Sequence, residues 1–288
     1  MDCIVLYNKN NEGCAELRQL IGLKPELRAS YLDWASVRDF KALWRQTDRK
    51  IPLIFCGSDQ ELSWLINCPG FLGFKNHLYF FPSAERSDLI LRLDPKGRPQ
   101  ALRIDWLLEH LPVVSVKGRD YRFLNGISLG IDWKIRETEN FPAELPQYCP
   151  GQKAKISSAA PVGALVTVDG ISRSYKRLWL GAALSGPYLC GGMELLPENK
   201  QEQQGELSLL LLHSCGYLGS RLLGRELLSG KQARHPHYCS LLRGHDLSLR
   251  FKSPQELIID GRGIGPAESL RLRSGDMMKR ATPVYQCL

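Results

Sequence analysis

Ile51-Pro52-Leu53-Ile54-Phe55-Cys56-Gly57-Ser58-Asp59-Gln60-Glu61-Leu62 reads as strand, tight turn and helix. Leu53 to Cys56 is a short apolar run of the kind that forms a strand buried on both faces. Gly57 breaks the run. From Gln60 a helical spacing begins, with Leu62, Leu65 and Ile66 on one side. In an open α/β sheet such a junction is where ligands bind, and exposed amides at a helix start suit a phosphate.

The same unit recurs on either side. Cys3 to Tyr7 is a candidate first strand, and Ala15 to Ile21 a short helix. Tyr31 to Arg45 carries Leu32, Val37, Phe40, Leu43 and Trp44 at a roughly helical period. His77 to Phe81 is another apolar strand, and Pro82 to Asp88 a turn into a helix over Leu89–Leu93. Three strand–loop–helix units in about a hundred residues predict a doubly wound, mostly parallel sheet.

Beyond residue 112 the pattern changes to short strands and turns. Val113–Val116 and Tyr121–Leu124 flank Lys117-Gly118-Arg119, a hairpin signal. Ala164–Val168 turns at Asp169-Gly170 and continues through Tyr175 to Leu180. Leu207–Leu212 is apolar throughout, Leu247–Phe251 and Leu270–Arg273 alternate, and Glu256–Asp260 ends at Gly261. This predicts an antiparallel sandwich or barrel. One helix interrupts it, Tyr217–Leu228, amphipathic through Leu218, Leu222, Leu223 and Leu227; the Leu218, Leu222 and Leu227 stripe suits a lipid tail, but a stripe at helical spacing is more often core. The chain of 288 residues accommodates two such domains with a cleft between them.

A net charge of +8 attracts anions without choosing among them. No motif for nucleic-acid recognition accompanies it. Nine cysteines are scattered without a CxxC pair, which argues for reduced cytoplasmic thiols rather than a disulfide framework or zinc site. His235, His237 and Cys239 lack a fourth ligand and read as a surface loop. No apolar run reaches a membrane-spanning length, and the start shows no secretory pattern.

Several stretches, in order and spacing, resemble the diacylglycerol kinase catalytic-domain family, the soluble lipid kinases related to sphingosine and ceramide kinases. Leu189-Cys-Gly-Gly-Met193 with Pro197-Glu198 resembles its tyrosine-glycine-glycine-glycine-methionine…proline stretch. Phe123–Asp132, Ala164–Gly170 and Leu257-Ile-Ile-Asp-Gly261 match three further segments. The resemblance implies an α/β nucleotide-binding domain over residues 1–112, joined by residues 276–288, and a β-sandwich lipid domain over residues 113–275. It also implies ATP and Mg2+ as cofactors and transfer of the γ-phosphoryl to a diacylglycerol-like hydroxyl. The expected location is cytoplasmic, with a homodimer and a peripheral contact at the inner membrane surface both compatible.

The resemblance carries site residues with it. Asn8 follows the first strand, where the family has asparagine-proline, and Lys9 replaces the proline. Gly57-Ser58-Asp59-Gln60-Glu61 stands where the family has glycine-glycine-aspartate-glycine-threonine. Small residues there let backbone amides approach a phosphate. Gln60 adds a side chain, and Glu61 puts a carboxylate where a triphosphate would lie, although a helix start favours a carboxylate when no anion is bound. In the second nucleotide motif only Asp88 is kept, with Ser83 and Ser87 beside it; Asp88 reads equally as a helix-start residue. Asp260 takes the place of the general base and Asp59 that of the organiser of metal and phosphates. Asp260-Gly261 reads equally as a hairpin turn, and Arg262 replaces the motif's glutamate. Gln201, Gln204 and Glu206 fall in the magnesium loop, where a carboxylate is expected. The resemblance is compatible with two functions of different classes: an ATP-dependent lipid kinase, or a catalytically impaired relative that binds lipid or protein on the same scaffold.

Overall fold

All five residues of Leu53–Gly57 are buried, so this strand needs cover on both faces and takes a central place in its sheet. In the computed structural model the described residues are 2–9, 14–24, 26–83, 87–94, 100–132, 155–156, 160–189, 192–196, 205–227, 231 and 234–275. The chain divides into two units, one over Met1–His110 and the other beginning at Leu111. The expected return of residues 276–288 to the first unit lies outside the described residues.

The first unit runs β1 (Asp2–Tyr7), α1 (Cys14–Gly22), β2 (Arg28–Asp33), α2 (Phe40–Gln46), β3 (Leu53–Gly57), α3 (Asp59–Ile66), β4 (Leu78–Pro82), α4 (Asp88–Leu93), β5 (Leu102–Arg103) and α5 (Asp105–Leu108). The sheet order is β2-β1-β3-β4-β5. β1 pairs in parallel with both β2 and β3, β3 pairs in parallel with β4, and only β5 is antiparallel. The strand order therefore reverses between β1 and β3, which is the switch point of a doubly wound sheet. One core packs Val5, Ile54, Cys56 and Phe81 of the strands against Leu17 of α1.

Tyr31 to Arg45 is not the single helix its spacing predicts. Arg28–Asp33 instead extends the parallel sheet beside β1. Two aspartates then divide the segment between this strand and α2. Asp33 accepts from the Ala35 amide at 3.2 Å and starts a short 3-10 turn. Asp39 accepts from the Lys41 and Ala42 amides at 2.8 and 3.1 Å and caps α2.

The second unit runs β6 (Val113–Val116), β7 (Arg119–Arg122), β8 (Gly126–Leu129), β9 (Ile131–Asp132), β10 (Lys155–Ile156), β11 (Val162–Val168), β12 (Ile171–Leu184), β13 (Tyr188–Leu189), β14 (Met193–Glu194), β15 (Leu207–His213), α6 (Tyr217–Leu227), β16 (Cys239–Gly244), β17 (Asp246–Ile259) and β18 (Arg262–Arg273). The main sheet has the order β16-β15-β12-β11-β17-β18-β6-β7. The long strands β12 and β17 both pair with β11 at one end and with β8 at the other, so the sheet folds over on itself. Register shifts at Leu178/Leu180 and Arg250/Gln255 mark the bends. The two hairpins read from sequence form at Lys117-Gly118 and Asp169-Gly170, each with positive φ at both turn residues, as a two-residue type I′ turn requires.

Leu207–Leu212 is apolar throughout because both faces are covered. Leu207, Leu209 and Leu211 belong to the core enclosed by the folded sheet. Leu210 and Leu212 belong to a second core with Leu223 of α6. The expected stripe on α6 divides: Leu223 is buried, whereas Leu218 and Leu222 face outward. No helix among the described residues is long and apolar enough to cross a membrane.

Candidate functional site

The switch point brings together the ends of β1 and β3. Tyr7 pairs with Cys56, so Asn8 and the Gly57-Ser58 turn emerge side by side. Ser58 is the N-cap of α3. Its hydroxyl accepts from the Glu61 amide at 3.2 Å and donates to the Glu61 carboxylate at 3.1 Å. The Ser58 amide donates to the same carboxylate oxygen at 2.8 Å, completing a capping box. The other oxygen accepts from the Asn8 side-chain amide at 3.2 Å. Glu61 is only 1 % exposed. A carboxylate buried this deeply is tolerated where donors and a helix N-terminus surround it. Gly57 makes room for it: a Cβ there would lie 2.9 Å from the Glu61 carboxylate and 2.8 Å from the Phe55 ring.

Asp59 turns the other way. One carboxylate oxygen accepts from the Ser87 hydroxyl at 2.5 Å, and the other from the Leu89 amide at 2.9 Å. Ser87 in turn caps α4 through the Ile90 amide at 3.0 Å. Asp59 thus ties the first turn of α3 to the first turn of α4, where Asp88 is buried. The Ser83 amide donates to the Gly57 carbonyl at 2.9 Å. Asn8, Gly57, Ser58, Asp59, Ser83, Ser87 and Asp88 therefore surround two linked helix starts.

Beneath them, Cys56 contacts Cys14 of α1. The hydrogen bond with Cys14 and burial push the Cys56 thiol far above the ordinary cysteine range, and the negative charge of Glu61 adds to this. Cys56 is fully buried and packs in the core of the first unit.

In the second unit, Asp260 and Gly261 form the turn between β17 and β18, with φ of 45° and 84°. The Asp260 carboxylate is buried and points back under the chain. It accepts from the backbone amides of Leu124, Asn125 and Gly126 at 2.7, 2.8 and 2.9 Å, while its own amide donates to the Gly126 carbonyl. Gly126 has no room for a side chain, since a Cβ would lie 2.7 Å from the Ala183 carbonyl oxygen. Asp260 thus fixes the start of β8 between β12 and β17.

Of the expected magnesium residues, Gln201 and Gln204 lie outside the described residues, and Glu206 comes directly after the turn at Gly205. Among the described residues no three His, Cys, Asp or Glu side chains are grouped to hold a metal ion. His235 contacts Glu226 of α6, while Cys239 is buried and its thiol is pushed up to about 11 by burial.

No protein-family model matches the chain, and no curated protein matches it. Solved structures do. Two structures designated as diacylglycerol kinases of Bacillus anthracis str. Sterne superpose with TM-scores of 0.64 and 0.62 at 16 % and 14 % identity. Each covers 95 % of this chain and 94 % of its own. The chain has the diacylglycerol kinase fold. A third structure of that designation, from the same organism, gives a TM-score of 0.57 at 14 % identity and covers 96 % of this chain and 94 % of its own. The fold accounts for the α/β unit followed by a folded antiparallel sheet. At these identities it carries no residue assignments.

The sequence alone does not announce the Asn8–Glu61 bond or the Asp260 amide cluster. Ser58-x-x-Glu61 is a capping-box spacing and signals the first half of the former. The amides of residues 124–126 leave no trace in side-chain sequence.

Proposed function

We propose that this chain is a non-catalytic member of the diacylglycerol kinase fold, a scaffold that binds lipid or protein without transferring phosphate. The observation that carries the reading is the position of the Glu61 carboxylate. It accepts from the Ser58 amide and hydroxyl at the start of α3 and from Asn8. These are the donors that a triphosphate at this switch point would need. A second anion in the same place meets both a filled site and like-charge repulsion. The residues present therefore do not fit the phosphates of ATP.

Two further features support the reading. Asp260 already accepts three amide hydrogen bonds. A carboxylate offers about four lone-pair sites, so little acceptor capacity is left for a substrate proton. Asp59 accepts from Ser87 and Leu89 and so acts as a helix cap. Preorganised electrostatics supply most of the rate in phosphoryl transfer, and here those groups are committed to the fold.

The competing reading is an ATP- and Mg2+-dependent lipid kinase with Asp260 as general base and Asp59 as metal organiser. Its support is the likeness over 95 % of the chain to structures designated as diacylglycerol kinases. Incubation of the purified chain with γ-labelled ATP, Mg2+ and diacylglycerol vesicles separates the two. The expected result is no label in lipid. Label transfer that disappears in Asp260→Asn would establish the kinase instead.

A further inference from the structure

A groove of about 490 Å³ crosses the outer face of β11, β17, β18 and β6. Strand alternation builds it. Val166, Leu249, Leu270 and Val116 point into the core, so their neighbours face outward. Thr167 pairs with Ser248, Ser248 with Arg271, and Arg271 with Ser115, which sets three hydroxyls and a guanidinium in one row. Arg250 pairs with Ser269 in the next row. Lys117, in the β6–β7 turn, completes the lining, and its ammonium would lie 3.8 Å from a Cβ at Gly265.

The charges are unequal. Three cations, Lys117, Arg250 and Arg271, line the groove against one carboxylate, Asp246. Asp246 is held by Arg271, which donates to it through Nε at 2.9 Å and Nη2 at 2.5 Å. Asp120, nearby on β7, accepts from Ser115 and from Arg273. Among the described residues Lys117 and Arg250 are in no ion pair. The groove thus offers two unneutralised cations beside the hydroxyls of Ser248 and Ser269. A guanidinium matches a phosphate in shape and a lysine in charge. The lining holds no aromatic ring, which removes stacking on a base or sugar. Its apolar members are turned inward, which leaves nothing for an acyl chain.

We propose that this groove is a binding site for a phosphate monoester. Its two sources are a phospholipid headgroup and a soluble phosphate ester. The site lies wholly within the second unit and does not depend on the state of α3.

Calorimetric titration of the full chain with glycerol 3-phosphate, and co-sedimentation with phosphatidylcholine vesicles with and without phosphatidic acid, test it. The wild-type chain binds at least one probe. The double variant Lys117→Gln/Arg250→Gln, both positions exposed, keeps the wild-type melting temperature and loses affinity tenfold or more. A charge-matched control in the first unit, Arg45→Gln/Lys50→Gln, binds as wild type. Binding to phosphatidic acid vesicles alone assigns the lipid source, and binding to glycerol 3-phosphate alone the soluble one; either supports the site. Failure of the wild type to bind both probes overturns the proposal. So does equal affinity in the groove variant, or an equal loss in the control.

Discussion

Asn8, the residue after β1, donates its side-chain amide to the carboxylate of Glu61 in the first turn of α3, at 3.2 Å and across 53 residues of sequence. The bond closes the switch point with a charge from the chain itself. Removing the carboxylate leaves the Ser58 amide and the Asn8 side chain without it in a buried place. Loss of a cap costs about 1 kcal/mol and an unsatisfied buried donor about 1–3 kcal/mol. Glu61→Ala is therefore expected to destabilise the chain by roughly 2–4 kcal/mol in urea unfolding. Glu61→Gln, which keeps one acceptor oxygen, is expected to lose less.

Asp59 is expected to behave as a cap. Asp59→Ala removes the acceptor for the Leu89 amide and the Ser87 hydroxyl. The expected loss is about 1–2 kcal/mol, the range for a lost helix cap. Denaturant midpoints measure it. No loss of stability would contradict the geometry described.

Asp260 combines a turn and an anchor. Its φ of 45° suits aspartate or asparagine better than alanine. Asp260→Ala strains the turn and removes the acceptor shared by three buried amides, for an expected cost of roughly 3–5 kcal/mol. Asp260→Asn retains one acceptor oxygen and tolerates the same backbone, so its cost is smaller. The order of the two melting temperatures is the check.

His213 gives the stability a pH dependence. It is buried, with its ring nitrogens against the hydroxyls of Ser214 and Ser240, both at 2.8 Å. Burial lowers its pKa. The unfolded chain therefore takes up this proton at a higher pH than the folded chain does. Stability is unaffected above the unfolded value of about 6.5 and falls as pH drops below it, by at most about 1.4 kcal/mol per pH unit, until the folded value is passed. The difference between wild type and His213→Gln, measured by urea unfolding from pH 7.5 to 5, isolates this slope.

The features legible in the sequence are local ones. Lys117-Gly118 and Asp169-Gly170 announce their hairpins because two successive positive φ values need those residue types. Leu53–Cys56 and Leu207–Leu212 announce strands covered on both faces. β2 escapes a sequence reading because its half-exposed residues do not alternate and Tyr31 to Trp44 imitates a helical period. The site is half legible. Ser58-x-x-Glu61 names a cap, but no local pattern says that Asn8 meets the same carboxylate. Asp260-Gly261 names a turn, but its amide partners are 134–136 residues away.

The direct test of a self-occupied switch point is calorimetric titration of the wild-type chain with Mg·ATP. A nucleotide present at a hundred times its dissociation constant would add about 2.7 kcal/mol to stability, so melting curves give a second readout on the same samples. The expected result is no heat of binding and no thermal shift at millimolar Mg·ATP. Stoichiometric binding at micromolar concentration, with Glu61 intact, would contradict the account.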